Sequence, residues 1–333
     1  MAITARRSLE LLQDLNIEGY FWDQWEGAEA PAWVDQITGS PIPSDQAKEE
    51  YGVTSTAPTM APSNGQKRPS RMTANAFEIR NQPFDAAMAI QNTDWRRDKT
   101  GRTRNVMMTQ LTEKSKTHWA KLLTTLIANG SSTAGPVDGK NFFAADHFSG
   151  LYTGQKNALT ASDYAELAFV NLARPTSAEF ADAIYSVISQ FLALVDDAGE
   201  PRNETATDFV VMVPIKWMRA ARSAATLRLV SDGAKTIDNA LLESGFRITI
   251  APNARLDAAV NKFRVFRAAT DGNFSPLIRQ NEPIDGQEVK FDFLGLDSEY
   301  SRLNGEVMSS VECSRAVGYG DWWRAMEATC SQA

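Results

Sequence analysis

The chain has 333 residues, a formal net charge of −7, 43% hydrophobic residues and two cysteines. That length allows two domains or one large elaborated domain with a sizeable core. The composition disfavours three classes: a protein whose main task is clamping nucleic acid, a disulfide framework, and, because no run of 18 apolar residues occurs, a membrane-spanning protein.

The first 47 residues are predicted to form an N-terminal arm. It begins with a short amphipathic helix from Ser8 to about Ile17, and it lacks an apolar signal core, so export is not expected. Pro31, Pro41 and Pro43 favour an extended chain in the later part of the arm. Between these parts lies a dense aromatic group that needs a surface to bury against: Tyr20, Phe21, Trp22, Trp25 and Trp33.

Residues 48–80 are predicted to form a long hairpin. Its strands are expected at Glu50–Ala57 and Met72–Arg80, with Asn64-Gly65 as the turn signal. Three prolines disfavour a place in a central sheet, and few large apolar residues occur. Because an isolated two-stranded hairpin is marginal in water, we expect this one to project over a neighbouring molecule.

The charge is unevenly distributed. Residues 1–50 carry 3 basic and 10 acidic side chains, whereas residues 66–104 carry 9 basic and 4 acidic ones. Two solvated faces of opposite sign would account for this, and so would a contact between the two segments in neighbouring copies, which is the sharper interpretation. The residues predicted to contact other subunits are Trp22, Trp25 and Trp33 of the arm and Lys67, Arg68 and Arg71 of the hairpin.

Residues 103–130 are predicted to form one long helix, the spine of the fold, with 104–129 as its body. Gly130 is expected to end it in the left-handed conformation, because glycine has no Cβ to oppose it. Apolar and small residues recur at helical spacing and predict a buried stripe. The line of the stripe is Met107, Leu111, Ser115, His118, Leu122 and Leu126, widened by Met108, Trp119, Leu123 and Ile127.

The rest of the chain is predicted to mix helices and strands. Residues 135–154 are expected to be a loop, followed by a short helix from Leu159 to Leu172. Thr176 to Glu179 form a capping-box pattern that opens another helix. Residues 208–269 alternate strands and helices, with a polar loop at 226–240. The predicted strands are 209–213, 246–250, 263–268, 289–294 and 309–325.

Residues with catalytic or metal-binding potential are few. His118 lies on the helix stripe, which favours a packed core histidine. Asp146 and His147 are adjacent and could be half of a catalytic or metal site, but no GxSxG, HExxH or Walker pattern accompanies them. A role in ordering their loop is favoured. Cys313 alternates with Val311, as core residues of a strand do. No catalytic residue, cofactor or metal is therefore predicted.

Three segments resemble the major capsid proteins of Mu-like tailed phages. They are FEIRNQPFDAAMAIQNTDWRRDKTG at 77–101, DGKNFFAADH at 138–147 and SRAVGYGDWWRAM at 314–326. The resemblance implies an α+β fold of the Hong-Kong-97 capsid type. It implies a division into an arm (1–47), an extended loop (48–80), a peripheral domain with the spine helix (81–195 and 275–333) and an axial domain (196–274).

The resemblance also implies a function. Such a chain is a major capsid protein, without enzymatic activity, that self-assembles into the icosahedral head shell of a tailed phage or phage-like particle. The implied partners are other copies in hexamers and pentamers, a portal and, because the chain starts at Met1 without a long scaffolding segment, a separate scaffold protein. The shell encloses double-stranded DNA without sequence-specific binding, contacts no membrane, is assembled in the bacterial cytoplasm and forms part of the virion.

Two alternatives remain open at this point. An encapsulin-type nanocompartment shell would share the fold, and would differ by a pocket for docking cargo. An enzyme using Asp146 and His147 is the alternative from another class.

Overall fold

The computed structural model of the chain describes residues 17–54, 65, 74–232, 235–257, 261–269 and 275–333. Most of the predicted helix from Ser8, the Asn64 turn residue and the three cations Lys67, Arg68 and Arg71 lie outside the described residues. None of the described helices is long and apolar enough to cross a membrane.

Helices and strands alternate along the chain in an α+β arrangement. The helices are α1 (17–27), α2 (Trp33–Thr38), α3 (Asn92–Arg97), α4 (Arg102–Asn129), α5 (Ser177–Ala193), α6 (Met218–Thr226), α7 (Ala240–Glu243) and α8 (Glu299–Asn304). The first strands are β1 (Ile42–Pro43), β2 (Lys48–Thr54), β3 (Ala74–Arg80), β4 (Gln82–Gln91), β5 (His147–Ser149), β6 (Tyr152–Gln155), β7 (Ala158–Thr160), β8 (Ala168–Phe169) and β9 (Asp208–Val213). The later strands are β10 (Leu229–Asp232), β11 (Lys235–Asp238), β12 (Arg247–Pro252), β13 (Lys262–Arg267), β14 (Leu277–Glu282), β15 (Lys290–Leu294), β16 (Glu306–Tyr319), β17 (Ala325–Thr329) and β18 (Ser331–Gln332).

Two five-stranded sheets form the body. In the first sheet the long strand β16 pairs with β4 along one edge, and with β14 and β15 in turn along the other. The second sheet has the order β12-β9-β13-β17-β7, in which β9 pairs parallel to β12 and β17 pairs parallel to β7. The described part of β2 pairs with β3, antiparallel, as predicted for the hairpin.

Helix α4 confirms the predicted long helix. Its first turn is capped by Asp98, whose Oδ2 accepts hydrogen bonds from the backbone N–H groups of Thr103 (2.9 Å) and Arg104 (3.3 Å). Its end differs from the prediction, because Gly130 has φ −60° and stays right-handed. The glycine is needed for space: a Cβ there would lie 2.5 Å from Cδ2 of Phe143.

The buried face of α4 follows the predicted line in its N-terminal half and the predicted widening residues in its C-terminal half. Trp119, Leu123 and Ile127 are fully buried, whereas Leu122 and Leu126 are only partly buried. The reason is that α4 serves two separate hydrophobic clusters. The small core takes Met107, Met108 and Leu111 with α1, α3 and the first sheet; the large core takes Trp119, Leu123 and Ile127 with α2, α5, α6 and the second sheet.

The N-terminal segment has more regular structure than predicted. Residues 17–27 are helical, and α2 follows Pro31. The aromatic group therefore buries against its own chain: the Phe21 ring stacks on Phe291 at 4.2 Å in the small core, and Trp33 lies in the large core. The expectation of an extended, poorly structured arm is wrong for these residues, because the helical phase of Phe21 and Trp25 gives α1 a buried side.

The predicted helix at 159–172 is also wrong. Strand β7 ends where the Asp163 carboxylate accepts hydrogen bonds from the backbone N–H and the hydroxyl of Thr160, and a 3-10 turn (Ala165–Leu167) and β8 follow. Leu167, at the end of this turn, and Phe169, in β8, reach the large core. Here tertiary burial outweighs helix propensity.

Three further segments differ in part from expectation. The loop at 135–154 contains the hairpin β5–β6, and the loop at 226–240 contains β10–β11. The strand predicted at 309–325 is β16, then a 3-10 turn (Trp322–Arg324), then β17. The break follows Gly320, which lies so close to the carbonyl oxygen of Ser275 that no Cβ would fit.

The capping box is confirmed. The Thr176 hydroxyl accepts from the backbone N–H of Glu179, and the Glu179 carboxylate accepts from the backbone N–H of Thr176, at the start of α5. Strand β9 is confirmed as a buried strand. The second sheet takes in β7 and β17, which lie outside 196–274, so an axial domain drawn around this sheet would include segments from both sides of that range. The domain division itself stays a prediction.

Candidate functional site

The Asp146–His147 pair does not form a site. The Asp146 carboxylate accepts a hydrogen bond from Lys140 at the surface. His147 is 0% exposed, and its Nδ1 lies 2.7 Å from Oδ2 of Asp138, which is equally buried. Its ring stacks on Trp322 with centroids 4.0 Å apart. The His147 ring is therefore enclosed by protein atoms, with Asp138 at one edge and Trp322 against its face.

Asn157 fixes the other side of the ring. Its Nδ2 donates to the carbonyl oxygens of Phe142 (2.7 Å) and Trp322 (3.1 Å), and its Oδ1 accepts from the backbone N–H of Ala144 (2.8 Å). That same Oδ1 lies 3.1 Å from Nε2 of His147. Both ring nitrogens thus face acceptors, and both bonds form together only when the ring carries a hydrogen on each nitrogen.

The charge on Asp138 fits this arrangement. Burial raises the pKa of its carboxyl, but the hydrogen bond from His147 and the nearby positive charge outweigh burial, so the pKa lies below its usual range. The backbone N–H of Lys140 also donates to it, at 3.1 Å. Asp138, His147, Asn157 and Trp322, which we call the loop lock, tie the 138–147 segment to the C-terminal segment.

The loop lock joins two of the motifs that resemble capsid proteins, 138–147 and 314–326. A second link joins the latter motif to α4. Arg315, fully buried, donates to the carbonyl oxygen of Ser115 (2.8 Å) and to Oε1 of Glu288 (2.7 Å), and its guanidinium lies over the Trp119 ring at 4.7 Å. These contacts are structural: they hold loops, helix and strand in one arrangement.

Sequence reasoning missed the partners in this lock. Asp138 and Asn157 lie nine and ten residues from His147, and Trp322 is in another segment. A buried histidine needs hydrogen-bond partners, but no local pattern says which carboxylate supplies one. His118, predicted to be a packed histidine, is half-buried instead, with its ring edge-on to Phe84 at 4.5 Å between centroids.

No metal site is evident in the part of the chain that the structure describes: it holds no group of three or more His, Cys, Asp or Glu side chains placed to share an ion. Both cysteines are buried, and burial raises the pKa of the Cys330 thiol to about 12. A thiol with such a pKa is not a reactive nucleophile.

The base of the predicted extended loop is anchored to its own chain. The Tyr51 hydroxyl donates to Oε1 of Gln280 at 2.7 Å, and Gln280 donates in turn to Asn81 at 2.8 Å. Ile79 is buried and packs against the backbone of Gly318. The described base of the hairpin is thus held at a fixed point beside β14.

The arm tryptophans that are predicted to contact other subunits differ in how much of their surface is exposed. Trp25 and Trp33 are 9% and 8% exposed, so nearly all of their surface is covered within the subunit. The Lys116 ammonium lies over the Trp25 ring at 4.2 Å. Trp22 is half-buried and keeps an outward face. Contact of these residues with a neighbour stays a prediction, as it does for the hairpin cations.

Comparison with known proteins gives one family. The model of the Mu-like prophage major head subunit gpT matches residues 16–169, which include α4 and the first two motifs. No curated protein sequence matches the chain.

Several solved structures from phages have the same fold. A chain of the procapsid of bacteriophage JBD30 is similar at 17% identity, with a TM-score of 0.52 over 97% of this chain and 76% of that one. A chain from the capsid of the cyanophage P-SCSP1u is similar at 12% identity, with a TM-score of 0.52 over 92% of this chain and 89% of that one. A chain of Mycobacterium phage Patience gives 10% identity and a TM-score of 0.52 over 96% and 86%. At these identities the likeness concerns the fold.

Proposed function

We propose that this chain belongs to the major head subunit family of Mu-like phages and that it closes into an icosahedral shell of hexamers and pentamers. Its fold is the α+β Hong-Kong-97-type fold that the sequence predicted. Its function is that of a phage major capsid protein, which assembles with its own copies into the shell of the virion. The family membership, the symmetry, the other partners and the contents of the shell are the proposed part.

The observation that carries the proposal is the family match over residues 16–169. This range runs from α1 through the hairpin strands and α4 to β8, so it includes the elements with which a shell subunit would reach its neighbours. The bonds at the base of the hairpin support the same proposal, because a projecting hairpin transmits load only if its root is fixed.

We assign the four predicted regions to the capsid architecture as part of the proposal. These are the arm (1–47), the extended loop (48–80), the peripheral domain (81–195 and 275–333) and the axial domain (196–274). A portal and a separate scaffold protein are the proposed partners in assembly.

The proposed role excludes catalysis. The one adjacent Asp–His pair is separated into a surface ion pair and a buried lock, so neither Asp146 nor His147 offers a general base to a substrate. Substituting His147 should therefore impair folding or assembly and have no effect that is limited to an activity.

The proposed cargo is double-stranded DNA, held by confinement. A chain of net charge −7 favours a neutral or acidic inner wall with few phosphate contacts. A basic lining would release counterions and bind DNA tightly, with log affinity falling by about 0.9 per phosphate contact for each log unit of salt. Titration of unassembled subunit with duplex DNA at low salt should show weak binding; tight binding with a steep salt slope would contradict this proposal.

The self-assembly proposal is tested by sedimentation velocity and negative-stain imaging of the purified protein over a range of salt and protein concentrations. We expect large closed particles or their hexameric and pentameric building blocks. A protein that stays monomeric under all these conditions, with and without a co-expressed scaffold, would contradict it.

A further inference from the structure

A cationic cleft lies beside α4. It has a volume of about 390 Å³ and lies between α4, β4, β16 and the 3-10 turn at Ala254–Leu256. Three cations line it, Lys114 and Lys121 from α4 and Arg255 from the turn, against one acid, Asp85 of β4. Among the residues that the structure describes, none of the three cations has an ion-pair partner.

The wall of the cleft contains polar atoms with no hydrogen-bond partner in the described chain. They are the hydroxyl of Ser115, a residue that is 8% exposed, and Nδ1 of His118. Burial, together with Arg315 and Lys121, lowers the pKa of His118 to about 4, so its ring is neutral near pH 7. A neutral imidazole and a hydroxyl can both donate to a carboxylate, and a buried donor without a partner is costly. The cleft therefore has the charge and the donors that suit carboxylates.

The other flank of the same subunit is acidic. Glu18, Asp23 and Glu26 are exposed on α1, and Glu29 is exposed just beyond its end. The first three lie within roughly 140° of arc around the helix, on the side away from the small core. Asp23 and Glu26, three residues apart, repel one another. In the described part of the chain no cation pairs with any of these four acids.

The two flanks cannot meet within one subunit. Helix α1 lies beside Thr109 and Thr112 of α4, whereas Lys114, His118 and Lys121 face the cleft. These two sets point roughly 180° apart around α4, on opposite edges of its buried stripe. Two complementary patches on different sides of one subunit are the arrangement for a head-to-tail contact between copies.

We infer that the acidic face of α1 in one copy docks at the cationic cleft of the next copy, placing Asp23 and Glu26 near Lys114 and Lys121. This inference rests on the proposed self-assembly. It differs from a contact of the arm with the hairpin cations, because the cleft belongs to the body of the neighbour. The contact explains why each patch carries like charges that form no ion pair within the described chain.

Charge exchange tests the docking. The first variant carries Asp23→Lys and Glu26→Lys, the second Lys114→Glu and Lys121→Glu, and the third all four substitutions. We expect each double variant to assemble at least about tenfold more slowly than wild type at low salt, because like charges then face each other. The fourfold variant restores opposite signs across the contact, and its rate should return to within about threefold of wild type.

A matched control separates the contact from net charge. Glu204→Lys with Glu243→Lys changes the charge as much as the first variant, at two exposed acids outside α1. We expect wild-type assembly from this control. Far-UV circular dichroism and thermal unfolding establish that each variant is folded; the substituted side chains are exposed, so loss of the fold in either double variant would itself contradict the account.

The outcomes are distinct. Wild-type protein that forms no particles would overturn the proposed function and the docking with it. Particles from wild type and from both double variants at equal rates would overturn the docking alone. So would failure of the fourfold variant, an equal defect in the control, or rescue of the first variant by Lys67→Glu with Arg68→Glu instead of by the cleft substitutions.

Discussion

The two halves of α4 are packed in different ways. The C-terminal half enters the large core, where two polar groups of the helix are bonded: Thr124 accepts from Asn253 at 2.9 Å, and the Tyr319 hydroxyl donates to the carbonyl oxygen of Leu126 at 2.8 Å. The N-terminal half enters the small core, where the Thr112 hydroxyl is buried without a partner. Helix α4 thus connects the large core with the small core.

Two short helices, α1 and α3, cover the small core. Helix α1 is held by the stack of Phe21 on Phe291 and by Trp25, and its outer face carries acids. The large core is closed by two layers and by the loop lock. The difference teaches that stability concentrates around the second sheet, while the surface around α1 is the part whose charge and exposure suit contacts with other subunits.

The largest effect is expected from a charge in the large core. Leu123→Asp places an unpaired carboxylate at a residue that is 0% exposed, at a cost of several kcal/mol. We expect insoluble or unfolded protein. Leu122→Asp, one residue away and only partly buried, is the control and should be milder. Equal solubility of the two variants in an expression assay would contradict the assignment of Leu123 to the buried face of α4.

Truncation of matched phenylalanines compares the cores directly. Phe180→Ala in the large core should lower the free energy of unfolding by about 3–5 kcal/mol. Phe21→Ala should lower the global value by less than about 3 kcal/mol, because α1 can open without the rest of the chain unfolding. Denaturant unfolding measures both. Hydrogen exchange in Phe21→Ala should quicken at 17–27 first; uniform quickening over the chain would count against a separable cover.

The loop lock should contribute to the free energy of unfolding by an amount that depends on pH. The pKa of Asp138 is lowered in the folded state, so its stabilisation is present above its unfolded pKa of about 4 and is lost as pH falls through the folded value. Asp138→Asn should cost about 1.5–3 kcal/mol at neutral pH. The difference in the free energy of unfolding between wild type and this variant should become smaller below about pH 4. A difference that stays constant down to acid pH would mean that the charge of Asp138 does not contribute.

The smallest effect concerns His118, at the junction of the two halves. Its folded pKa of about 4 lies below the ordinary value of 6.5, so the unfolded chain takes up the proton first and stability falls as pH drops between these values. His118→Gln should remove about 1 kcal/mol of that fall, a figure reduced for the partial exposure of the ring. Denaturant unfolding at pH 7 and pH 5 measures the fall in the free energy of unfolding. An equal fall in wild type and variant would contradict the prediction.

Local patterns accounted for the parts of the fold that local physics decides. The long apolar period predicted α4, the Thr176 and Glu179 pattern predicted the start of α5, and a short apolar run predicted β9. The family motifs predicted the fold class. On α4, most of the predicted stripe is confirmed as buried, whereas its members His118, Leu122 and Leu126 are only partly buried, because the helix serves two cores.

The remaining misses were decided by distant residues. The segment 159–172, predicted to be a helix, instead forms short strands and a 3-10 turn from which Leu167 and Phe169 reach the large core. The loop lock needed Asp138 and Asn157, and no spacing rule connects them to His147. Charge counts along the sequence indicate which segments could contact another subunit, but not which side chains do so. Which cation faces outward depends on how each helix is rotated.

The central claim is that this chain builds a shell in which each subunit reaches over another. The most direct measurement is a cryo-electron microscopy reconstruction of the assembled particle. The account predicts a closed icosahedral shell with residues 48–80 of each subunit lying across a second subunit. Particles in which that hairpin packs only on its own chain, or assemblies that never close, would contradict it.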